Sequence, residues 1–108
     1  MTRQDFNDFH VKMCSEAFEL MKRKNADYGG AADPFANFRM SALLGLNPED
    51  GVLLRMQDKM ARIVSFLRKG DLAVKEESWR DACVDLVNYS VILAGLLTER
   101  SSKQNKEQ

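Results

Sequence analysis

The sequence predicts an all-α fold: a compact bundle of three long helices and one short one. Three observations lead there. Apolar residues recur at spacings of three and four along three long stretches. The β-branched clusters fall inside those stretches, so no alternating strand pattern emerges. The strongest punctuation, Gly45, Asn47-Pro48 and Gly70, lies between the periodic stretches and not within them.

The first stretch carries Phe6, Phe9, Met13, Ala17 and Leu20 on one face, which predicts a helix from about Asp5 to Lys24. Its basic end, Lys22-Arg23-Lys24, suits the negative end of a helix dipole and is expected to be solvated. Asn25 to Pro34 reads as a loop, in which Gly29 and Gly30 would permit a close approach of backbone to a ligand. Phe35 to Leu44 reads as a short helix stopped by Gly45. Asn47-Pro48-Glu49-Asp50 is a strong helix start, and the helix is expected to run to Lys69 with Val52, Met56, Met60, Ile63 and Leu67 as its core stripe. The last helix is expected from about Ala73 to Glu99, packed through Trp79, Cys83, Leu86, Ser90, Leu93 and Leu97. The short Gly70-Asp71 connection predicts that these two helices run antiparallel.

A chain of 108 residues suits a single domain, here residues 1–100, followed by a polar tail, 101–108, expected to be disordered. Sixteen basic and sixteen acidic side chains cancel, so no global field draws the chain to a nucleic-acid polymer or an anionic membrane. Cys14 and Cys83 both sit in helical patterns, are read as small buried apolar groups, and point to a reducing compartment. No signal-peptide pattern follows Met1, and the apolar run Val91–Leu97 is far shorter than a membrane span. A soluble, cytoplasmic protein is expected.

The chemistry concentrates on the last two helices. Glu77, Asp81, Asp85 and Asn88 fall on one stripe of the last, at i, i+4, i+8 and i+11. Carboxylates stacked on successive turns repel unless something positive lies among them. One solution is Mg²⁺, a hard cation that takes carboxylate oxygens while holding substrate phosphates. The other is an ion-pair ladder with Arg55, Lys59 and Arg62, which share a stripe with Asp58 on the preceding helix. Both solutions fit the residues. Glu16 and Glu19 are a further carboxylate pair on the first helix, and His10 stands alone there. No phosphate-binding loop, dinucleotide fingerprint or zinc spacing is present.

Four segments occur in a telling order: Asp27-Tyr28-Gly29; Phe35-Ala36-Asn37-Phe38; Asp58-Lys59-Met60-Ala61-Arg62; and Glu77-Ser78-Trp79-Arg80-Asp81-Ala82-Cys83-Val84-Asp85-Leu86-Val87-Asn88-Tyr89. Together they resemble the small phage and prophage proteins related to MazG, over roughly Lys22 to Leu97. The resemblance implies an all-α nucleoside triphosphate pyrophosphohydrolase fold, oligomeric, with a nucleotide held between helices and Mg²⁺ bound by two acidic motifs. It implies metal and catalytic roles for Glu77, Asp81 and Asp85, and substrate contacts for Arg55, Lys59, Arg62, Tyr28, Gly29, Asn37 and Asn88. For a phage protein the compartment would be the host cytoplasm. The chain departs from the pattern at Asp58-Lys59-x-x-Arg62, where the relatives' first motif is Glu-Glu-x-x-Glu. Cations in place of acids favour direct phosphate contact over a multi-metal centre. Two functions are therefore expected: a Mg²⁺-dependent nucleotide hydrolase or phosphotransferase, or a phage protein that sequesters a linear or cyclic signalling nucleotide. The structural alternative, a ladder and an oligomer interface only, uses the same stripes.

Overall fold

The computed structural model describes residues 1–27, 32–70 and 78–107. Every regular element among them is helical: α1 (Arg3–Asp27), a short α2 (Ala36–Arg39) continuing into a 3₁₀ turn (Met40–Leu44), α3 (Pro48–Lys69) and α4 (Trp79–Glu107).

The three long helices start on the same device. In α1 the Thr2 backbone N–H donates to Asp5 Oδ2 and the Asp5 N–H returns a bond to Thr2 Oγ1, each at 3.0 Å. The reciprocal pair brings the helix start forward to Arg3, ahead of the apolar periodicity, and holds the Asp5 carboxyl below its ordinary range. In α3 the Asn47 N–H donates to Asp50 Oδ2 at 3.0 Å, with Pro48 in the first turn. In α4 the Ser78 N–H donates to Asp81 Oδ2 at 3.2 Å and the Asp81 N–H to Ser78 Oγ at 3.0 Å. The predicted stops hold as well, since Gly45 and Gly70 adopt left-handed backbone at φ 74° and 71°.

Three cross-helix pairs set the directions of α3 and α4. Glu49 meets Arg100 at 2.8 Å, Lys59 meets Asp85 at 3.0 Å, and the Phe66 and Trp79 rings lie 6.2 Å apart. Numbers rising on one helix pair with numbers falling on the other, so the two are antiparallel, as expected. On α1, Glu16 meets Arg80 and Lys24 meets Asp85, so α1 runs in the same direction as α4. Among the described residues α1 packs on α4 and not on α3. α4 is therefore the helix on which both α1 and α3 pack.

α2 and the 3₁₀ turn close one side of the α3–α4 pair. Phe38, Val52 and Leu96 form the core there, with Phe35, Met56, Tyr89, Ile92 and Leu93 packed around them. Phe35 lies so close to Gly95 that a Cβ at that position would sit 2.8 Å from the ring. Asp33 anchors the segment by accepting from the Phe35 N–H at 3.0 Å and pairing with Arg39, which also reaches Glu99 at 2.9 Å.

Several expectations are corrected. On α3, Met60 and Leu67 are 57% and 75% exposed, and the inward stripe is Val52, Met56, Lys59, Ile63 and Phe66. On α4, Trp79, Ser90 and Leu97 lie outward, while Ala82, Val84 and Leu96 are buried. On α3 the inward stripe includes Lys59, paired with Asp85, which a purely apolar reading passes over, and on α4 Val84 turns toward α1 while Leu96 turns toward α3. Cys14 is exposed and Cys83 half-buried, because α1 and α4 each bury a narrower face than their apolar content suggests. The polar tail continues α4 as helix to Glu107, in a run of helix-favouring Lys, Gln and Glu. The bundle is also less compact than expected. Its radius of gyration is 16.3 Å, against about 13 Å for a compact chain of this length. α4 contains a segment, Trp79–Asn105, long and apolar enough to cross a membrane by length and composition, a test that core helices also pass.

Leu96→Ala is expected to lower the unfolding free energy by about 2–5 kcal/mol, because it empties the centre of the Phe38–Val52 cluster. Gly95→Ala should also destabilise, by driving Phe35 from its seat. Urea titrations of both variants check the pair, and an unperturbed Gly95→Ala would show that Phe35 does not rest on α4.

Candidate functional site

Asp85 stands where the three long helices meet. Its Oδ2 lies 3.0 Å from the Lys59 ammonium of α3 and its Oδ1 3.9 Å from the Lys24 ammonium of α1. Lys59 and Asp85 keep only 16% and 17% of their side-chain surface, so water screens the pair weakly. Arg62, one turn along α3 from Lys59, carries its guanidinium 3.2 Å from Asp58. The result is two cations, Lys24 and Lys59, from two helices on one acid of a third, with the Arg62–Asp58 pair one turn further along α3.

The other predicted residues divide. Asp81 shares the Asp85 stripe, but one of its oxygens serves as the cap of α4. Arg55 lies over the Phe38 ring at 4.9 Å, a cation–π contact that ties α3 to α2. Asn88 is half-buried on α4, one turn beyond Asp85, and Asn37 is exposed on α2. Tyr28, Gly29 and Glu77 lie outside the described residues. The residue that sequence reasoning missed is Lys24. Its position in a basic helix end masked it, and only the packing of α1 against α4 brings it to Asp85.

Beside this patch a groove of about 540 Å³ runs between α1 and α4. Lys12, Glu16, Glu19, Arg23, Arg80 and Asp81 line it with their charged groups. Arg80 reaches across to Glu16 at 2.6 Å, and its guanidinium holds the Glu16 carboxyl below the ordinary glutamate range. Glu16, Glu19 and Asp81 thus share one groove, yet among the described residues no three potential ligands gather closely enough to hold a metal ion. Asp85 is also poorly disposed toward a divalent cation, since both its oxygens face ammonium groups. The described donor set does not by itself make a Mg²⁺ site. What it offers is positive charge, held at a fixed place by a partly buried carboxylate.

Comparison with protein-family models, curated proteins and solved structures finds no match for this chain.

Removing the two acids should have unequal effects. Asp85→Ala leaves Lys24 and Lys59 facing each other without the carboxylate between them, and should cost roughly 3 kcal/mol, the lower end for a broken buried pair. Asp81→Ala removes a helix cap and should cost about 1 kcal/mol. Equal losses in chemical denaturation would show that Asp85 does not hold the helices together.

The Glu16–Arg80 tie has a definite pH dependence. Because the folded-state pKa of Glu16 is lowered, its contribution is complete above the ordinary glutamate pKa and is lost as pH falls through the lowered value. Glu16→Gln should therefore flatten the acid limb of a thermal-stability profile and leave the neutral region parallel to wild type.

Proposed function

We propose that the protein binds a nucleotide through its phosphates, on the face where Lys24 and Lys59 flank Asp85 and Arg62 lies one turn along α3 from Lys59, within a MazG-like fold. The approach of two cations from two helices to one carboxylate, with a guanidinium one turn away, carries this reading. The chain has no net charge, so affinity for a polyanion has to come from a local cluster of this kind. Arg62 supplies the planar fork that engages two phosphate oxygens at once, and Lys59 acts as a point charge one turn away. This reading gives Asn88, half-buried one turn beyond Asp85 on α4, a contact to phosphate or base.

Within this reading, binding without turnover is favoured by Asp85. A carboxylate flanked by two ammonium groups is a weak metal ligand and a weak general base. Such a protein would sequester its nucleotide. Hydrolysis is the second reading, and one observation favours it: Glu16, Glu19 and Asp81 line a single groove next to the cationic patch. When bound, Mg²⁺ would neutralise phosphate charge and activate water. A pyrophosphohydrolase would hold it through those groove carboxylates, with Glu77 added by the resemblance.

Incubating the protein with a panel of linear and cyclic nucleotides and Mg²⁺, followed by chromatography, separates the two. Recovery of an intact, bound nucleotide supports sequestration, and cleavage between the α and β phosphates supports the enzyme. Arg62→Ala should weaken binding of the best nucleotide by about 1.5–3 kcal/mol in calorimetry under either reading. Unchanged affinity would remove the cationic patch from the ligand site. In an enzyme the same variant also slows turnover at saturating nucleotide.

A further inference from the structure

Away from Asp85, a second cavity of about 280 Å³ opens where the start of α3 meets the late turns of α4 and the end of α2. Glu49 on its wall precedes Lys59 by ten residues of α3, so the cavity lies about 15 Å along the helix from the Lys59–Asp85 pair. Arg39 lines it from α2, and Arg100 and Lys103 line it from α4. Glu49 and Glu99 supply its carboxylates, beside the buried Leu96. Counting Asp33, which pairs with Arg39 from outside the lining, cations and acids balance here. Net charge therefore selects no ligand, and the hydrogen-bonding groups decide.

The acids are largely engaged. Arg100 spans both oxygens of Glu49, from Nε to Oε1 at 3.1 Å and from Nη2 to Oε2 at 2.8 Å. Its guanidinium holds the Glu49 carboxyl below the ordinary glutamate range, with a smaller push from Arg39, so both guanidinium groups act on one acid. Glu99 Oε2 accepts from Arg39 Nη2 at 2.9 Å. The donors are far from exhausted. A guanidinium has five N–H groups and an ammonium three. Arg39 uses Nε and Nη2 on Asp33 and Glu99, and Arg100 uses Nε and Nη2 on Glu49, so each keeps both N–H groups of Nη1 among the described residues. Lys103 is exposed and has no ion pair with any described residue.

Donors in excess of acceptors favour a ligand rich in acceptor oxygens. Two features narrow it. The volume falls below the roughly 300–1,000 Å³ that encloses a drug-sized molecule, so the ligand is compact. The Nε–Nη2 edges that match a planar carboxylate are already taken by acids of the chain. What remains, two Nη1 groups and a point charge on three separate side chains, suits a tetrahedral oxyanion that accepts through a different oxygen from each.

We infer that this cavity binds a compact phosphate, either orthophosphate or a small phosphomonoester, through Arg39, Arg100 and Lys103. Orthophosphate titrated into the full chain, with ionic strength held constant by potassium chloride and amide NMR as the readout, should give saturable shifts at Arg39, Arg100, Lys103 and Gln104. The same shifts should appear in Arg62→Ala, which keeps this result apart from that of the nucleotide experiments. Lys103→Gln should weaken binding by roughly tenfold or more, the loss of one charged hydrogen bond, with helicity by circular dichroism unchanged. Lys103→Arg should restore it. Tighter binding of glycerol 3-phosphate than of orthophosphate at these residues would identify a phosphomonoester as the ligand, and the reverse order the free ion. No saturation at millimolar phosphate, shifts confined to Lys24, Lys59 and Arg62, an equal response to acetate, or unchanged affinity in Lys103→Gln would each overturn the proposal.

Discussion

The Lys59–Asp85 pair is the constraint on which the rest of the molecule depends. A lysine in the middle of an inward helical stripe is a poor core residue unless an acid faces it, and taking both charges out of water is costly unless they meet closely. At 3.0 Å they do. That contact fixes the rotation of α3 against α4, and hence which apolar residues of each helix turn inward. Val52, Met56, Ile63 and Phe66 follow Lys59 to the contact side, while Met60 and Leu67 are carried out. Lys24 then joins Asp85 from α1, so a single carboxylate indexes all three long helices.

A second economy lies in the helix starts. Thr2, Asn47 and Ser78 are each followed three residues later by an aspartate, at positions 5, 50 and 81. Each aspartate accepts the N–H of its capping residue. This recasts the acidic stripe of α4, whose members stand in different situations. Asp81 satisfies a helix end, and Asp85 balances two lysines. The electrostatic problem of carboxylates on successive turns is solved locally and separately for each. Ion pairs at the other end, Glu49–Arg100 and Arg39–Glu99, bind the late turns of α4 to α2 and α3.

The helical class, the antiparallel pairing of α3 and α4, the proline-led start of α3 and both glycine stops were legible in the sequence, because each rests on local chemistry. The approach of Lys59 to Asp85 was legible too, since a basic stripe and an acidic one on consecutive antiparallel helices have few other places to go. Lys24 was not, because a basic helix end is ordinarily solvated and nothing local shows that α1 docks beside α4. The capping role of Asp81 was present as Ser78-x-x-Asp81 but lay under the more conspicuous series of acids. The inward stripes were misassigned for a different reason. α3 is apolar around much of its circumference, so periodicity alone selects no single side. The rotation is decided by a charge pair, which hydropathy does not weigh.

That breadth of apolar surface ties the fold to its use. A helix needing only one neighbour would place polar residues at Met60, Val64 and Leu67, where exposure of apolar groups brings nothing to the stability of a lone chain. Here Leu53, Met60, Val64 and Leu67 stay exposed along α3, whereas Lys24 and Lys59 gather on one acid. The same reasoning bears on the membrane-length segment in α4. Its apolar content is distributed round a helix that also carries Asp81, Asp85 and Asn88 and is flanked by α1 and α3. One angular offset separates the charged contact from the exposed row on α3: Lys59 turns inward to Asp85, and the next residue along the chain, Met60, is carried out with the exposed apolar row.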